Sequence, residues 1–309
     1  MREHDSFGPV RRGRRRFDDD EPDFLKRSRR AAPVTLDPDL PETGDNWSTW
    51  DSSMHGPEPH PDWVLTELAA VDTELGVLKT GKEADVHLIE RAVPGTGRRT
   101  LLAAKRYRTT EHRMFHRDAG YLEGRRVRRS REMRAMANRT GFGRDLLSGQ
   151  WARAEFAALS GLWSAGVAVP YPVQLSGTEL LLEFVGDADG RAAPRLAQQR
   201  PDPDQLRALW RQLVAALLGL AGQGLTHGDL SAYNLLVHDG RLVLIDLPQV
   251  VDVVGNPQGP QFLARDVHRI ADWFAARGLP PEVGDASALL VELQLALGVR
   301  RRKPRGPHR

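Results

Sequence analysis

Between residues 227 and 246 the chain reads His227-Gly228-Asp229-Leu230-Ser231-Ala232-Tyr233-Asn234, then an apolar stretch, then Leu244-Ile245-Asp246. An Asp, an Asn and a second Asp thus stand at the ends of two short hydrophobic segments. A carboxylate held on a loop can take a proton from a reacting hydroxyl. An Asn with a second Asp supplies the hard oxygen ligands that suit Mg²⁺ bridging phosphate oxygens. The spacing therefore points to phosphoryl transfer, with Asp229 as proton acceptor and Asn234 and Asp246 as metal ligands. Asp and Asn also cap turns. The preceding His-Gly, and the predicted hairpin of Leu235 to Val237 and Leu242 to Ile245 around His238-Asp239-Gly240, favour the chemical reading.

The flanking patterns supply a scaffold for such a site. Leu75 to Leu78, Val86 to Ile89 and Leu101 to Ala104 are short apolar or alternating segments with Gly and Pro punctuation, as in an antiparallel sheet. Trp63, Leu65, Leu68 and Val71 predict a brief amphipathic helical turn before it. Trp151, Glu155, Phe156, Leu159 and Leu162 recur at helical spacing until Gly166 and Pro170, and Leu180 to Val185 reads as a strand. Asp204 is placed to cap a helix with Leu206, Leu209, Leu213, Leu217 and Leu220 on its apolar face. Val267 to Phe274 and Ala286 to Leu297 read as closing helices.

Three further residue sets fit phosphate chemistry. Lys105 closes the strand Leu102-Ala103-Ala104-Lys105, where a lysine can contact nucleotide phosphates and pair with a helix glutamate, Glu155 being the natural partner. A lysine at a strand end is often a solvated surface group; its position upstream of Asp229, Asn234 and Asp246 favours the ligand role. The turn Lys79-Thr80-Gly81-Lys82-Glu83-Ala84 has a single Gly. There Gly81 lets backbone N–H groups approach an anion and Lys82 adds charge.

With 309 residues, 40% hydrophobic and 28% charged, the chain can bury a sizeable core. It has no cysteine, which excludes disulfides and thiolate metal sites. No apolar run has the length to cross a bilayer and no signal segment is evident, so no membrane partner and a cytoplasmic location are expected. The net charge is only +3, but it is unevenly placed. Arg11 to Arg16 and the C-terminal Arg300 to Arg309 are basic, and Thr109 to Gln150 is a basic segment too long for an ordinary connection. Such runs can neutralise nucleic-acid phosphates and are also common as solvated tails.

Taken together, Thr80-Gly81-Lys82-Glu83-Ala84, Lys105, Trp151 with Glu155-Phe156, Glu183-Phe184-Val185-Gly186, His227-Gly228-Asp229 through Asn234, Ile245-Asp246 with Pro248-Gln249, and Phe262-Leu263 with Arg265-Asp266 resemble the RIO family of atypical serine/threonine protein kinases. The likeness spans about residues 70 to 275, nearest to the RIO-one branch. Leu247-Pro248-Gln249 after Asp246 is closer to the sister RIO-two branch.

The resemblance implies an α+β, bilobal protein-kinase-like fold, with an antiparallel sheet plus helix in the N-lobe and a mainly helical C-lobe. It also implies ATP with Mg²⁺, or Mn²⁺ in its place, and a protein substrate. Asp229 is then the catalytic acceptor, Asn234 and Asp246 bind metal, Lys105 contacts phosphate, and Glu183 with Val185 offers backbone groups to adenine. Asp246 could also accept phosphate transiently in an ATPase cycle.

The corresponding division is a charged, disordered leader over 1–60, an ATP-binding lobe over 61–185 with a basic insertion at 109–150, a catalytic lobe over 186–298 and a basic tail over 299–309. Two alternatives stand beside it. One is a small-molecule phosphotransferase, which also uses a His-Gly-Asp loop. The other is a nucleotide-sensing module that meets RNA or a ribosomal particle through the basic segments.

Overall fold

A computed structural model describes residues 41–108 and 141–302. The leader up to residue 40, the basic segment 109–140 and residues 303–309 lie outside the described residues. The expectations of a disordered leader and of a nucleic-acid contact through basic segments fall largely on these.

Seven strands form one antiparallel sheet: β1 (Asn46–Trp47), β2 (Met54–His55), β3 (Val71–Thr80), β4 (Ala84–Ala92), β5 (Arg99–Tyr107), β6 (Pro172–Ser176) and β7 (Glu179–Glu183), in the order β1-β3-β4-β5-β7-β6-β2. The sequence pattern anticipates the three long central strands, as short apolar or alternating segments set between Gly and Pro punctuation. It does not anticipate β1 and β2. These belong to the stretch read as leader, of which Asn46–Trp47 and Met54–His55 instead pair into the sheet. Residues 61–70 contain turns and no helix, and Val71 opens β3.

The two short strands fix the curvature of the sheet. β1 pairs with one edge, at β3, and β2 with the other, at β6. Six strand spacings of ~4.8 Å separate them, about 29 Å along a flat sheet. The seven residue steps from Trp47 to Met54 reach at most ~25 Å fully extended, and a 3-10 turn at Trp50–Ser52 shortens them further. The sheet must therefore curl toward this strap.

Arg91, fully buried, holds the inside of the curl. Its Nε and Nη2 donate to the two oxygens of Asp72 at 2.7 and 2.8 Å, and its Nη1 donates to Gln174 Oε1 at 2.9 Å. Gln174 Nε2 in turn donates to Thr49 Oγ1 of the strap at 2.7 Å.

Helix α1 (Gly141–Ser164) packs on the sheet through Ala152, Phe156, Leu159 and Leu162. It begins ten residues before Trp151, so the end of the stretch read as insertion is helical. Gly141, Gly143 and Gly149 lower local helix propensity and hide that start from the sequence.

The second lobe is built on α2 (Pro203–Gly222), α3 (Gly259–Ala275) and α4 (Ala286–Arg302). Asp202, not Asp204, caps α2: its carboxylate accepts from the N–H groups of Asp204 and Gln205, each at 2.9 Å. Pro203, suited to the first helical position, sets this register. The expected leucine face of α2 is buried. Short strands β8 (Leu225–Thr226) and β11 (Val251–Asp252) pair, as do β9 (Leu235–His238) and β10 (Arg241–Leu244). The second pair is the hairpin expected around Asp239-Gly240, both of which have positive φ, 48° and 74°.

Truncating Arg91 leaves the carboxylate of Asp72 and the amide of Gln174 without their partner. Arg91→Ala should lower the unfolding free energy by about 3–5 kcal/mol, as for other broken buried ion pairs, measured by urea titration. A loss below ~1 kcal/mol, the scale of an exposed pair, would show that this network does not hold the curl.

Candidate functional site

A cleft of about 720 Å³ lies between the sheet and the helical lobe, lined by Gly81, Lys82, Lys105, Glu155, Glu183, Val185, Asp229 and Asp246 among others. Eight of the nine residues expected to form a site from the sequence thus meet on one surface. The ninth, Asn234, is buried just behind it.

Lys105 is the centre of the arrangement. It lies on β5, and its Nζ is 2.8 Å from Glu155 Oε1 and 2.8 Å from Asp246 Oδ1. Burial pushes the Lys105 ammonium toward the neutral form, and the two carboxylates outweigh this and hold its pKa above the usual lysine range. Burial raises the Asp246 carboxyl, and the Lys105 charge and hydrogen bond reverse this and hold it below the usual carboxylate range.

Glu155, on α1, is almost fully buried. Besides Lys105 it accepts from the Leu247 N–H at 3.0 Å and from the Tyr107 hydroxyl. Burial, followed by the Glu155 charge, pushes the Tyr107 phenol well up, so it remains a donor. Tyr107 is two residues beyond Lys105 on β5 and therefore on the same face, a relation visible in the sequence once Lys105 is assigned.

The loop from β8 to β9 carries Asp229 and Asn234. Gly228 has φ +84°, and a Cβ there would stand 2.2 Å from the Gln249 carbonyl, so only glycine fits. Asp266 of α3, almost fully buried, accepts from Gly228 N–H at 2.7 Å, Thr226 Oγ1 at 2.9 Å and Leu230 N–H at 3.2 Å. The buried His227 places Nε2 3.1 Å from the Ile245 carbonyl, and its Nδ1 accepts from Asp229 N–H at 3.4 Å. This assigns the proton to Nε2 and ties the Asp229 loop to the residue before Asp246.

Asn234 donates its Nδ2 to the Asp229 carbonyl at 3.0 Å, and its own carbonyl accepts from Ile245 N–H at 3.0 Å. Its Oδ1 is thereby the side-chain atom left to a cation. Asn234 and Asp246 together provide two oxygen donors, which fits Mg²⁺, an ion that takes one or two protein oxygens and fills its other positions with water and phosphate. Among the described residues no cluster of three or more His, Asp or Glu is placed to hold a metal alone.

The turn at Gly81 is tight: its N–H donates to Ala84 O at 3.0 Å, and an added Cβ would lie 2.7 Å from that oxygen. In the connection between the lobes, the Val185 carbonyl accepts from Ala193 N–H at 2.9 Å, so Val185 retains its N–H rather than its carbonyl for a ligand.

Sequence reasoning missed several contributors. Asp266 lies in the Arg265-Asp266 pair but had no role assigned. Arg195 also lines the cleft, beside Lys79 of the turn already read from the sequence, and burial followed by the Arg195 charge pushes the Lys79 ammonium below its usual range. Arg195 Nη1 donates to the Tyr233 carbonyl at 2.6 Å, bracing the peptide that leads into Asn234. Each of these depends on contacts distant in sequence.

A family model described as the RIO domain matches residues 96–286. The RIO-type serine/threonine-protein kinase Rio1 of Haloferax volcanii is 36% identical over 222 residues, covering 70% of this chain and 68% of that protein. The serine/threonine-protein kinase RIO1 of Chaetomium thermophilum is 32% identical over 213 residues, 66% of this chain and 40% of that protein. The RIO3 kinase of Caenorhabditis elegans is 29% identical over 215 residues, 68% of this chain and 38% of that protein. The chain therefore spans about two thirds of the archaeal relative and about two fifths of these eukaryotic ones.

Asp266→Asn replaces one of the accepting oxygens by an amide that faces donors. It should cost about 2–4 kcal/mol, the scale of losing one or two hydrogen bonds to a buried charge. Denaturant titration of the full chain reads this loss, and an unchanged midpoint would remove Asp266 from its role in holding the loop.

Proposed function

The chain belongs to the RIO family of atypical serine/threonine protein kinases, of the RIO1 type, and we propose that it is a Mg²⁺-dependent, ATP-binding member whose catalytic base is Asp229. The observation that carries this reading is the placement of Lys105 2.8 Å from both Glu155 and Asp246, in the wall of a cleft that Asp229 also lines.

Each residue then has a physical task. Lys105, with Lys79, Lys82 and Arg195, gives the cleft a cationic lining that suits a triphosphate. Glu155 keeps Lys105 aimed, because a buried ammonium requires a fixed counter-charge. Asn234 Oδ1 and the Asp246 carboxylate would hold Mg²⁺, or Mn²⁺ in its place. The metal would supply neutralisation of phosphate charge as it shifts toward the leaving group. The Val185 N–H and Glu183 carbonyl would orient adenine. Asp229 accepts the proton of a serine or threonine hydroxyl as its oxygen attacks the terminal phosphorus, and the electron pair of the broken bond leaves with ADP.

A second course uses the same site for ATP hydrolysis through Asp246. Its carboxylate is 41% exposed and only Oδ1 is bonded to Lys105, so Oδ2 could attack phosphorus, release ADP and form an acyl phosphate that water hydrolyses. The small-molecule phosphotransferase alternative finds no support in the relatives, which are named protein kinases.

Asp229→Asn should lower the rate of phosphate transfer by about 10²–10⁴, the contribution of a positioned base, while nucleotide affinity changes little. Transfer at the parental rate would overturn the assignment. Incubation with γ-labelled ATP separates the two courses: label labile to hydroxylamine marks an acyl phosphate, absent in Asp246→Asn, and stable label marks a phosphorylated hydroxyl.

A further inference from the structure

Helix α3 presents Arg265 and Arg269 one turn apart, hence on one face, while Leu263, Val267, Ile270 and Phe274 are buried. Arg265 donates through Nη2 to the Gly228 carbonyl. Arg269 places Nη1 2.8 Å from Asp229 Oδ1. Both guanidinium side chains stay about half exposed, at 50% and 52%. Neither lines the cleft whose wall Asp229 helps to form. The two arginines therefore flank Asp229 outside the nucleotide cleft, on a surface open to an incoming acceptor.

Stability accounts for Arg265, which also lies 3.7 Å from the buried Asp266 and over the Phe262 ring, but not for Arg269. An ion pair as exposed as Arg269 with Asp229 contributes little to folding, so its geometry is easily exchanged for another. The single Arg269–Asp229 contact uses one nitrogen, and a guanidinium offers five N–H donors in a planar fork suited to a carboxylate. We infer that Arg269, on the helix face it shares with Arg265, is the recognition site for an acidic side chain adjacent to the phosphorylated serine or threonine of the protein substrate.

A carboxylate next to the acceptor hydroxyl would bond the free part of the Arg269 fork while Asp229 keeps its own bond to Nη1. This sets the hydroxyl beside the remaining oxygen of Asp229. The inference rests on the kinase reading above and adds the chemical class of acceptor to it.

The test uses the full chain with Mg²⁺ and ATP, and two serine peptides that differ only in having Asp or the isosteric Asn on both sides of the serine. The parental protein should favour the Asp peptide in kcat/KM by about 2- to 5-fold, the scale of a solvent-exposed ion pair. Arg269→Gln should bring that ratio close to one, and Arg269→Lys should retain part of it. Because a ratio is read, a general fall in rate from loss of the Asp229 partner does not affect the outcome. Thermal unfolding and nucleotide binding report whether each variant is folded.

Equal use of both peptides by the parental protein would overturn the inference and leave the kinase reading standing. Absence of transfer to either peptide would count against the kinase reading. In that case fluorescence anisotropy of the labelled Asp peptide, with parental protein and Arg269→Gln, decides the inference separately: equal affinity overturns it. Displacement of the Asp peptide by short single-stranded RNA, with RNA binding lost in Arg269→Gln, would assign Arg269 to nucleic acid and also overturn it.

Discussion

Removing an ammonium group from water is costly unless opposite charge replaces the lost hydration. Lys105 meets that requirement with two carboxylates from two different parts of the chain, Glu155 on α1 and Asp246 after β10. One electrostatic constraint therefore decides how the sheet, the helix packed on it and the helical lobe stand around the cleft. Glu155 extends it by also accepting from Leu247 and Tyr107. Backbone, hydroxyl and ammonium donors converge on a single buried carboxylate, and the strand carrying Lys105 cannot shift without leaving charge unpaired.

The loop that bears Asp229 is held by a second layer of the same kind. Asp266 satisfies two of its backbone N–H groups, and His227 joins it to the segment preceding Asp246. Among the described residues no buried side-chain nitrogen or oxygen lacks a partner. This is the condition for a polar cluster to be rigid rather than merely expensive, and it lets a half-exposed carboxylate keep one orientation.

Much of this was readable from local pattern. The short apolar or alternating segments of β3 to β5, the leucine face of α2 and the Asp239-Gly240 hairpin are short-range signals, and the order Lys105, Glu155, Asp229, Asn234, Asp246 follows from motif spacing. What the sequence concealed is long-range or compensated. The two-residue strands β1 and β2 are too short to show a period, and their partners are about 25 and 120 residues further along the chain. The early start of α1 is hidden by glycines. Asp202 displaces Asp204 as cap because Pro203 sets the helix register. Asp266, Arg195 and Arg269 act through partners about 36 to 40 residues away in the chain, a relation that no single-sequence pattern encodes.

The strap that runs from β1 to β2 pairs with both margins of the sheet at once, at Val71 and Asp72 of β3 and at Gln174 and Leu175 of β6. Its loss would free the backbone donors and acceptors of those four positions in one step. Exposed strand margins of that kind pair readily with other chains. The residues preceding the motifs of the cleft thus guard part of each margin, and a form of the chain beginning after residue 57 would carry two longer unpaired borders.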